Sequence, residues 1–203
     1  IGAAGAALHY LGQQLRRRVD HITSLRTARP GSEVELDAAS QENLELVQSK
    51  SPRGTSLLAA LDRTVTPLGA RRLRDWILHP LRELAPLLRR QEFIGALLAE
   101  PFLLSALRES LRGVRDIERT LGRLAQASGN ARDLQALRGS LAQIPDLREH
   151  LRALGARTFF GVREEVAPPA GSMAGDLLGA LREFPDLVGL LGNALVDEPP
   201  ATV

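Results

Sequence analysis

The residues that could do chemistry are few, and they are not spaced for it. The four histidines show none of the short spacings, such as HxxxH, that bring two imidazoles onto one metal ion. Glu164–Glu165 and Asp197–Glu198 are adjacent pairs that point to different sides of a helix or strand, so they predict solvated charge rather than an acid–base couple. The sequence contains no cysteine and no GxSxG motif, which excludes thiol nucleophiles and thiolate metal sites. We therefore expect no catalytic, cofactor-binding or metal site in this chain.

Phosphate-binding chemistry is not indicated either. Lys50 and Ser51 form the only Lys–Ser pair, but Ser49 stands where a Walker A loop needs a glycine that lets backbone amides reach phosphate. Arginine carries almost all the positive charge, and a net charge of +2 does not predict a strongly basic binding face. We interpret the densest basic cluster as a solvated helix face, with contact to DNA phosphates as the less favoured alternative. The weak candidates for that contact are Arg16, Arg17 and Arg18.

Apolar residues recur at helical spacing through most of the chain, so we predict a mostly α-helical fold. A helix is expected over 3–19, then a short extended segment near 20–36 and a short helix with Asp37 as its N-cap. The remainder is helical, with a candidate mobile loop at 155–175, a kink or break at Pro185 and an extended C-terminal tail. The clearest periodic run is formed by Leu107, Leu111, Val114, Ile117, Leu121 and Leu124.

The chain contains no sequence expected to span a membrane. No stretch reaches the roughly 18 consecutive apolar residues of a membrane helix, and the most apolar stretch, FIGALLAEPFLLSAL, is interrupted by Glu100 and Pro101. The absence of cysteine favours a reducing cytoplasm as the location. Nothing at the N-terminus resembles a signal peptide. Because the sequence begins at Ile1 rather than a methionine, we expect a piece of a longer protein.

The stretch DRTVTPLGARRLRDWILHPL at 62–81 raises the question of why one helix holds a glycine, a tryptophan and several arginines. Thr66 followed by Pro67 predicts the helix start, because the hydroxyl can accept an unpaired amide and proline fits the first helical position. Pro80 is expected to end the helix. The predicted helix therefore fills most of the stretch.

One face of this helix is predicted to be packed and the other solvated. At about 100° per residue, Gly69, Leu73 and Trp76 share a face, and glycine there costs about 1 kcal/mol relative to alanine unless another backbone approaches closely. Arg71 points away from that face, with Asp75 one turn on as its predicted ion-pair partner. Trp76 could stack on a nucleobase, but its place beside Gly69 favours core packing.

This stretch and several others, in the same order, resemble the core of the MutS family of DNA mismatch-repair ATPases. LDAASQENLEL at 36–46 resembles the family's LDxxTxxNLEL, with Ser40 where threonine is usual. RRQEFIGALL, VRDIERTLGRLA, ARDLQALRGSLAQIP and LVDEPP are similar to further family motifs, and the resemblance is weakest over 155–175. The residues that match the family signature DxTxTPxGxRxLxxW…PL are Asp62, Thr64, Thr66, Pro67, Gly69, Arg71, Leu73, Trp76, Pro80 and Leu81.

The resemblance implies one part of a larger machine. MutS-like proteins read a mismatch with a Phe-x-Glu motif, hold duplex DNA with a clamp and hydrolyse ATP in a P-loop domain, but none of the five phenylalanines here has glutamate two residues later. The implied parts are the end of a connector domain at 1–35, a helical core or lever domain at 36–195, and a segment leading into the clamp at 196–203. The fragment itself is then no enzyme. ATP and Mg²⁺ would bind in the missing ATPase domain, and the parent would be a dimer that binds mismatched duplex through other domains.

The implied role is structural and allosteric, coupling a distant ATPase domain to the DNA clamp and the mismatch-binding domain. Two alternatives stay open: a MutS paralogue acting in recombination, and a free-standing helical scaffold or DNA-binding module. A small helical enzyme has no residues to support it. The residues assigned to structure and coupling are Thr66, Pro67, Gly69, Arg71, Leu73, Trp76 and Pro80.

Overall fold

A computed structural model describes residues 2–16, 19, 22, 31, 33–154, 157–159, 162–164 and 171–196. The chain divides into two compact units, Ile1–Ser32 and Glu33–Val203. The predicted segment that leads into the clamp, 196–203, lies outside the described residues except for its first position, and most of the predicted extended segment near 20–36 lies outside them too.

The described part of the first unit contains helix α1 (Gly2–His9), which continues as a π-helical turn over Tyr10–Gln14. The predicted helix over 3–19 is therefore confirmed to Gln14 and wrong at Leu15 and at Arg16, which has a left-handed φ of 47°; Arg17 and Arg18 lie outside the described residues. Neither element holds a buried residue.

The described part of the second unit is mostly helical and includes one short hairpin, which confirms the mostly α-helical fold. Strands β1 (Arg157–Phe159) and β2 (Val162–Glu164) pair antiparallel, with Arg157 opposite Glu164. The helices are α2 (Ala38–Asn43), α3 (Leu57–Leu61), α4 (Pro67–Leu78), α5 (Leu84–Ala99), α6 (Pro101–Arg112), α7 (Ile117–Ala125), α8 (Ala131–Leu141), α9 (Ile144–Ala153), α10 (Met173–Ala180) and α11 (Pro185–Ala194).

Short polar residues and prolines set the helix starts. An N-cap side chain accepts a hydrogen bond from the third helical amide, which satisfies one of the donors that a helix start leaves unpaired. Asp37 caps α2 in this way, as predicted, with Ser40 N to Asp37 Oδ1 at 2.6 Å. The other side-chain caps are Ser56, Thr66, Asp116, Asn130 and Ser172, and prolines stand in the first turn of α4, α6, α9 and α11.

Two expectations about the later part of the chain need correction. The candidate loop at 155–175 contains the β1–β2 hairpin and the first residues of α10, which Ser172 caps. The break at Pro185 is confirmed, but α10 already ends at Ala180, so the interruption is longer than a proline kink. A third expectation, that Leu121 lies on the apolar face, is also wrong: Leu121 is 49% exposed, whereas Thr120 before it is buried.

The apolar core lies among α7 to α11. Leu137, Leu141 and Ile144 are buried at its centre, where α8 turns into α9. Ser140 is 1% exposed; its hydroxyl donates to Ala136 O at 2.7 Å and accepts from Arg115 N at 2.8 Å. That second bond fastens the loop before α7 to the core. The partly buried residues packed around the centre are Ile117, Leu124, Leu181 and Val188.

Charged groups complete the packing of these helices. Arg123 on α7 forms an ion pair with the buried carboxylate of Asp133, which also forms the capping box at the start of α8. Arg148 on α9 donates to the carbonyl oxygens of Leu178 and Leu181, at the C-terminal end of α10, where helical carbonyls lack amide partners. Within the described residues, no helix is long and apolar enough to cross a bilayer.

Candidate functional site

The start of α4 is built by the first residues of the 62–81 stretch. Asp62 Oδ1 accepts hydrogen bonds from Thr64 N at 2.9 Å and Thr64 Oγ1 at 2.7 Å, and these bonds lower the pKa of the Asp62 carboxyl. Thr66 Oγ1 accepts from Gly69 N at 2.9 Å, and Pro67 occupies the first helical position. The predicted helix start is confirmed. Two successive turns of capping hydrogen bonds explain why aspartate and threonine alternate in this part of the signature.

Gly69 is close-packed, but not for the reason that its position on the helix suggested. A Cβ atom there would lie 2.9 Å from Thr66 Oγ1 and 3.5 Å from Thr64 Cβ. The closest neighbours are thus the helix's own cap and the threonine before it rather than a second backbone. Glycine at this position leaves room for the capping hydroxyl.

Arg71 has a different partner from the one predicted. Its Nη1 lies 2.6 Å from Asp116 Oδ2 and its Nη2 lies 2.8 Å from Asp116 Oδ1, a two-point pair with the N-cap residue of α7. Arg71 Nη2 also lies 2.8 Å from Glu118 Oε2. The pair lowers the pKa of Asp116 to about 2, chiefly through the hydrogen bond from Arg71. Asp75 instead pairs with Arg72 and with the ring of His79, on its own side of the helix.

Trp76 lies beneath a guanidinium rather than within an aliphatic core. The Arg90 guanidinium of α5 lies 3.9 Å from the centre of the indole ring, and that of Arg72 lies 5.9 Å away, within the range of cation–π attraction. Burial, followed by the nearby charge of Arg72, lowers the pKa of Arg90. Trp76 is half-buried, as are Leu73 and Ile77, so the inward face of α4 is covered without being fully enclosed.

The end of the stretch is joined to the segment before α2. Helix α4 ends at Leu78, and Pro80 follows it as predicted, with Pro80 O accepting from Val34 N at 2.8 Å. Leu81 forms an isolated antiparallel bridge with Glu33. The sequence did not predict this pairing, because strand contacts across so many residues leave no local pattern.

The remaining candidates form no chemical site in the described residues. No group of three or more His, Asp or Glu side chains there could hold a metal ion. His150 Nε2 lies 3.2 Å from Ser110 Oγ, a contact between α9 and α6. Arg16 is exposed, whereas Arg17 and Arg18 lie outside the described part, as do Glu165, Asp197 and Glu198.

Among the described residues, three contacts made by arginine side chains join the 62–81 stretch to the helices that follow it. These are the pairing of Arg71 with Asp116 and Glu118, the Arg90–Trp76 contact, and a hydrogen bond of 2.9 Å from Arg108 Nη2 to Arg63 O. We call these three contacts the arginine seam. Asp116 and Glu118 belong to the VRDIERTLGRLA stretch, so the sequence shows acidic residues that could pair with an arginine. Only the folded structure shows that Arg71 is that arginine.

Comparison with known proteins gives the family of this chain. Residues 39–203 match the family model described as MutS domain III. Three relatives are each named DNA mismatch repair protein MutS: those of Symbiobacterium thermophilum, 37% identical over 203 residues, Halothermothrix orenii, 34% over 206, and Methanosarcina mazei, 35% over 206. The alignments cover 99–100% of this chain but 21–22% of each relative, so the chain spans about a fifth of their length. With most of its length matched by the family model, the chain belongs to the MutS domain III family.

Proposed function

We propose that this chain works as the lever or core part of a longer mismatch-recognition protein, coupling an ATPase domain to domains that grip DNA. In that protein, ATP and Mg²⁺ would bind outside the present chain, and mismatched duplex would be held by other domains of a dimer. The proposal rests on the positions and contacts of the residues in the family signature. Its residues start α4 and tie it to α5 and α7, and none of them lines a reactive site.

The physical basis is rigid-body transmission through packed helices. Helix α5 has 16 residues, and at about 1.5 Å per residue it spans about 24 Å. Close-packed helices shift as units rather than absorbing a displacement, because a dense interior is hardly compressible. A change of nucleotide state at one end can then alter DNA grip at the other, as a coupling free energy that acts equally in both directions.

The test is to replace Gly69 with leucine in the full-length protein that carries this chain. The side chain would displace the Thr66 cap, and overpacking of this kind costs about 1 to 3 kcal/mol. We expect Gly69→Leu to lower the free energy of unfolding and to reduce the effect of ATP on the affinity for a mismatched duplex. Both are measured on the same preparation, by urea denaturation and by fluorescence anisotropy of labelled DNA.

Gly122→Leu is the matched control. Gly122 is an exposed helical glycine, and a Cβ atom there meets nothing within 4 Å. This variant should keep both the stability and the ATP effect. A Gly69→Leu protein that loses stability and still responds fully to ATP would contradict the proposed role, as would equal effects of the two substitutions.

A further inference from the structure

The arginine seam differs from the other helix contacts of this unit. The main chain of α4 makes only sparse contact with the other described helices. Long guanidinium side chains bridge the intervening space. Two of the three contacts are hydrogen-bonded and polar, and the third places a guanidinium over the indole ring.

Arg71 makes the most directional of these contacts. A guanidinium that donates two parallel hydrogen bonds to one carboxylate fixes the relative angle of the two groups as well as their distance. The side chain of Arg71 is 49% exposed and that of Asp116 is 21% exposed, so water and salt can compete for the pair. The pair is therefore specific in geometry and reversible.

Asp116 connects that pair to the rigid part of the unit. Its Oδ1 also accepts from Arg119 N at 3.2 Å, which makes Asp116 the N-cap of α7. The amide of the preceding residue, Arg115, donates to Ser140 Oγ, the most buried side chain in the core. Arg71 is thus connected to the centre of the bundle by its pair with Asp116 and by the hydrogen bond from Arg115 N to Ser140 Oγ.

We propose that Arg71 is a positioning residue: its two-point pair with Asp116 fixes the orientation of α4 relative to α7, and opening of the pair releases α4 to move as a rigid body. The link to nucleotide coupling rests on the function proposed above, whereas the orienting role stands on the contacts alone. High salt, which screens the attraction between Arg71 and Asp116, should loosen the orientation of α4 in the same way as a substitution that removes the pair.

The experiment uses spin labels on this chain, which is possible because the sequence has no native cysteine. Labels are attached at Arg74→Cys on the exposed side of α4 and at Gly122→Cys on α7, where an added Cβ meets nothing within 4 Å. Pulsed electron–electron double resonance then measures the distribution of distances between the two spin labels, one on α4 and one on α7. We expect one narrow distribution, which Arg71→Gln broadens severalfold and which rising salt broadens in the same way.

Three further variants make the result specific. Arg71→Lys keeps the charge but cannot donate in two-point geometry, and so it should broaden the distribution nearly as much as Arg71→Gln. Asp116→Asn removes the charge but keeps an N-cap residue for α7, so it should also broaden the distance distribution while the start of α7 stays intact. Arg72→Gln removes an equal charge from a residue that pairs within α4, and it should leave the distribution narrow.

Circular dichroism checks that each variant keeps its helix content. A distribution that stays narrow in both Arg71→Gln and Asp116→Asn would overturn the proposal, and so would equal broadening by Arg72→Gln. The same substitutions in the full-length protein separate the two proposals. Broadening with an unchanged ATP effect would leave the positioning role of Arg71 in place and count against the coupling function.

Discussion

The bundle of α7 to α11 and the signature helix α4 are held in place by different forces. In the bundle, aliphatic side chains are buried and the polar groups among them are paired, as Ser140 and Asp133 show. On α4 no residue is fully buried, and its links to the later helices run through guanidinium groups. An apolar core resists displacement in every direction, whereas a few directional charged contacts can open and reform. The comparison shows two kinds of contact: apolar burial in the bundle and directional charged contacts on α4.

The largest expected effect is the loss of a core side chain from the bundle. Leu137 is 7% exposed at the centre of the core. Leu137→Ala should lower the free energy of unfolding by about 2 to 5 kcal/mol, through lost transfer free energy and the cavity that remains. Urea denaturation followed by circular dichroism measures the change.

Leu98→Ala is the matched control for that substitution. Leu98 is 67% exposed on α5, so the same chemical change should have little effect on unfolding. Equal losses for the two variants would mean that the bundle is not the main source of stability, and the contrast between the two regions would fail.

A smaller effect is expected from removing the cap of α4. Thr66→Ala deletes the acceptor for Gly69 N, which should cost about 0.5 to 2 kcal/mol, whereas Thr66→Ser should keep most of the stability. Trp76 is the only tryptophan, so its fluorescence reports on α4 while circular dichroism reports on all helices. We expect the fluorescence transition to shift more than the dichroism transition; identical shifts would show that α4 and the bundle unfold as one unit.

The smallest effect is the acid response of the Arg71–Asp116 pair. The pKa of Asp116 is lowered to about 2 from its usual 3.8, so the Asp116 carboxylate takes up a proton more readily in the unfolded chain. Its stabilising contribution is complete above the unfolded pKa and is lost as the pH falls from about 4 towards 2. Besides Asp116, the charged groups facing this site are Arg71, Glu118 and Arg119, and Arg71 stays charged throughout that range.

Comparison with Asp116→Asn isolates this contribution. The other carboxyls whose pKa values are lowered, Asp37 and Asp62, are present in both proteins, so their contributions cancel in the difference. The melting temperatures should differ at about pH 6 and converge near about pH 2.5. A gap that persists unchanged in acid would assign the effect of the substitution to the α7 cap rather than to the charge.

Local patterns were sufficient to predict much of the helical architecture. The caps at Asp37 and Thr66, the prolines in the first turns and the apolar spacing of α8 and α9 depend on residues a few positions apart. The same reasoning failed where residues a few positions apart do not determine the structure. It extended the first helix past Gln14, and it missed the paired strands at 157–159 and 162–164.

The signature helix shows the same division at single residues. The sequence by itself determined that α4 starts at Pro67 and ends near Pro80, because caps and proline geometry are properties of neighbouring residues. Only the tertiary structure decided that Arg71 pairs with Asp116 rather than Asp75, and that Trp76 lies under Arg90. Both alternatives for Arg71 satisfy its charge. The fold selects between them by bringing the first turn of α7 within reach of α4, 45 residues away in sequence.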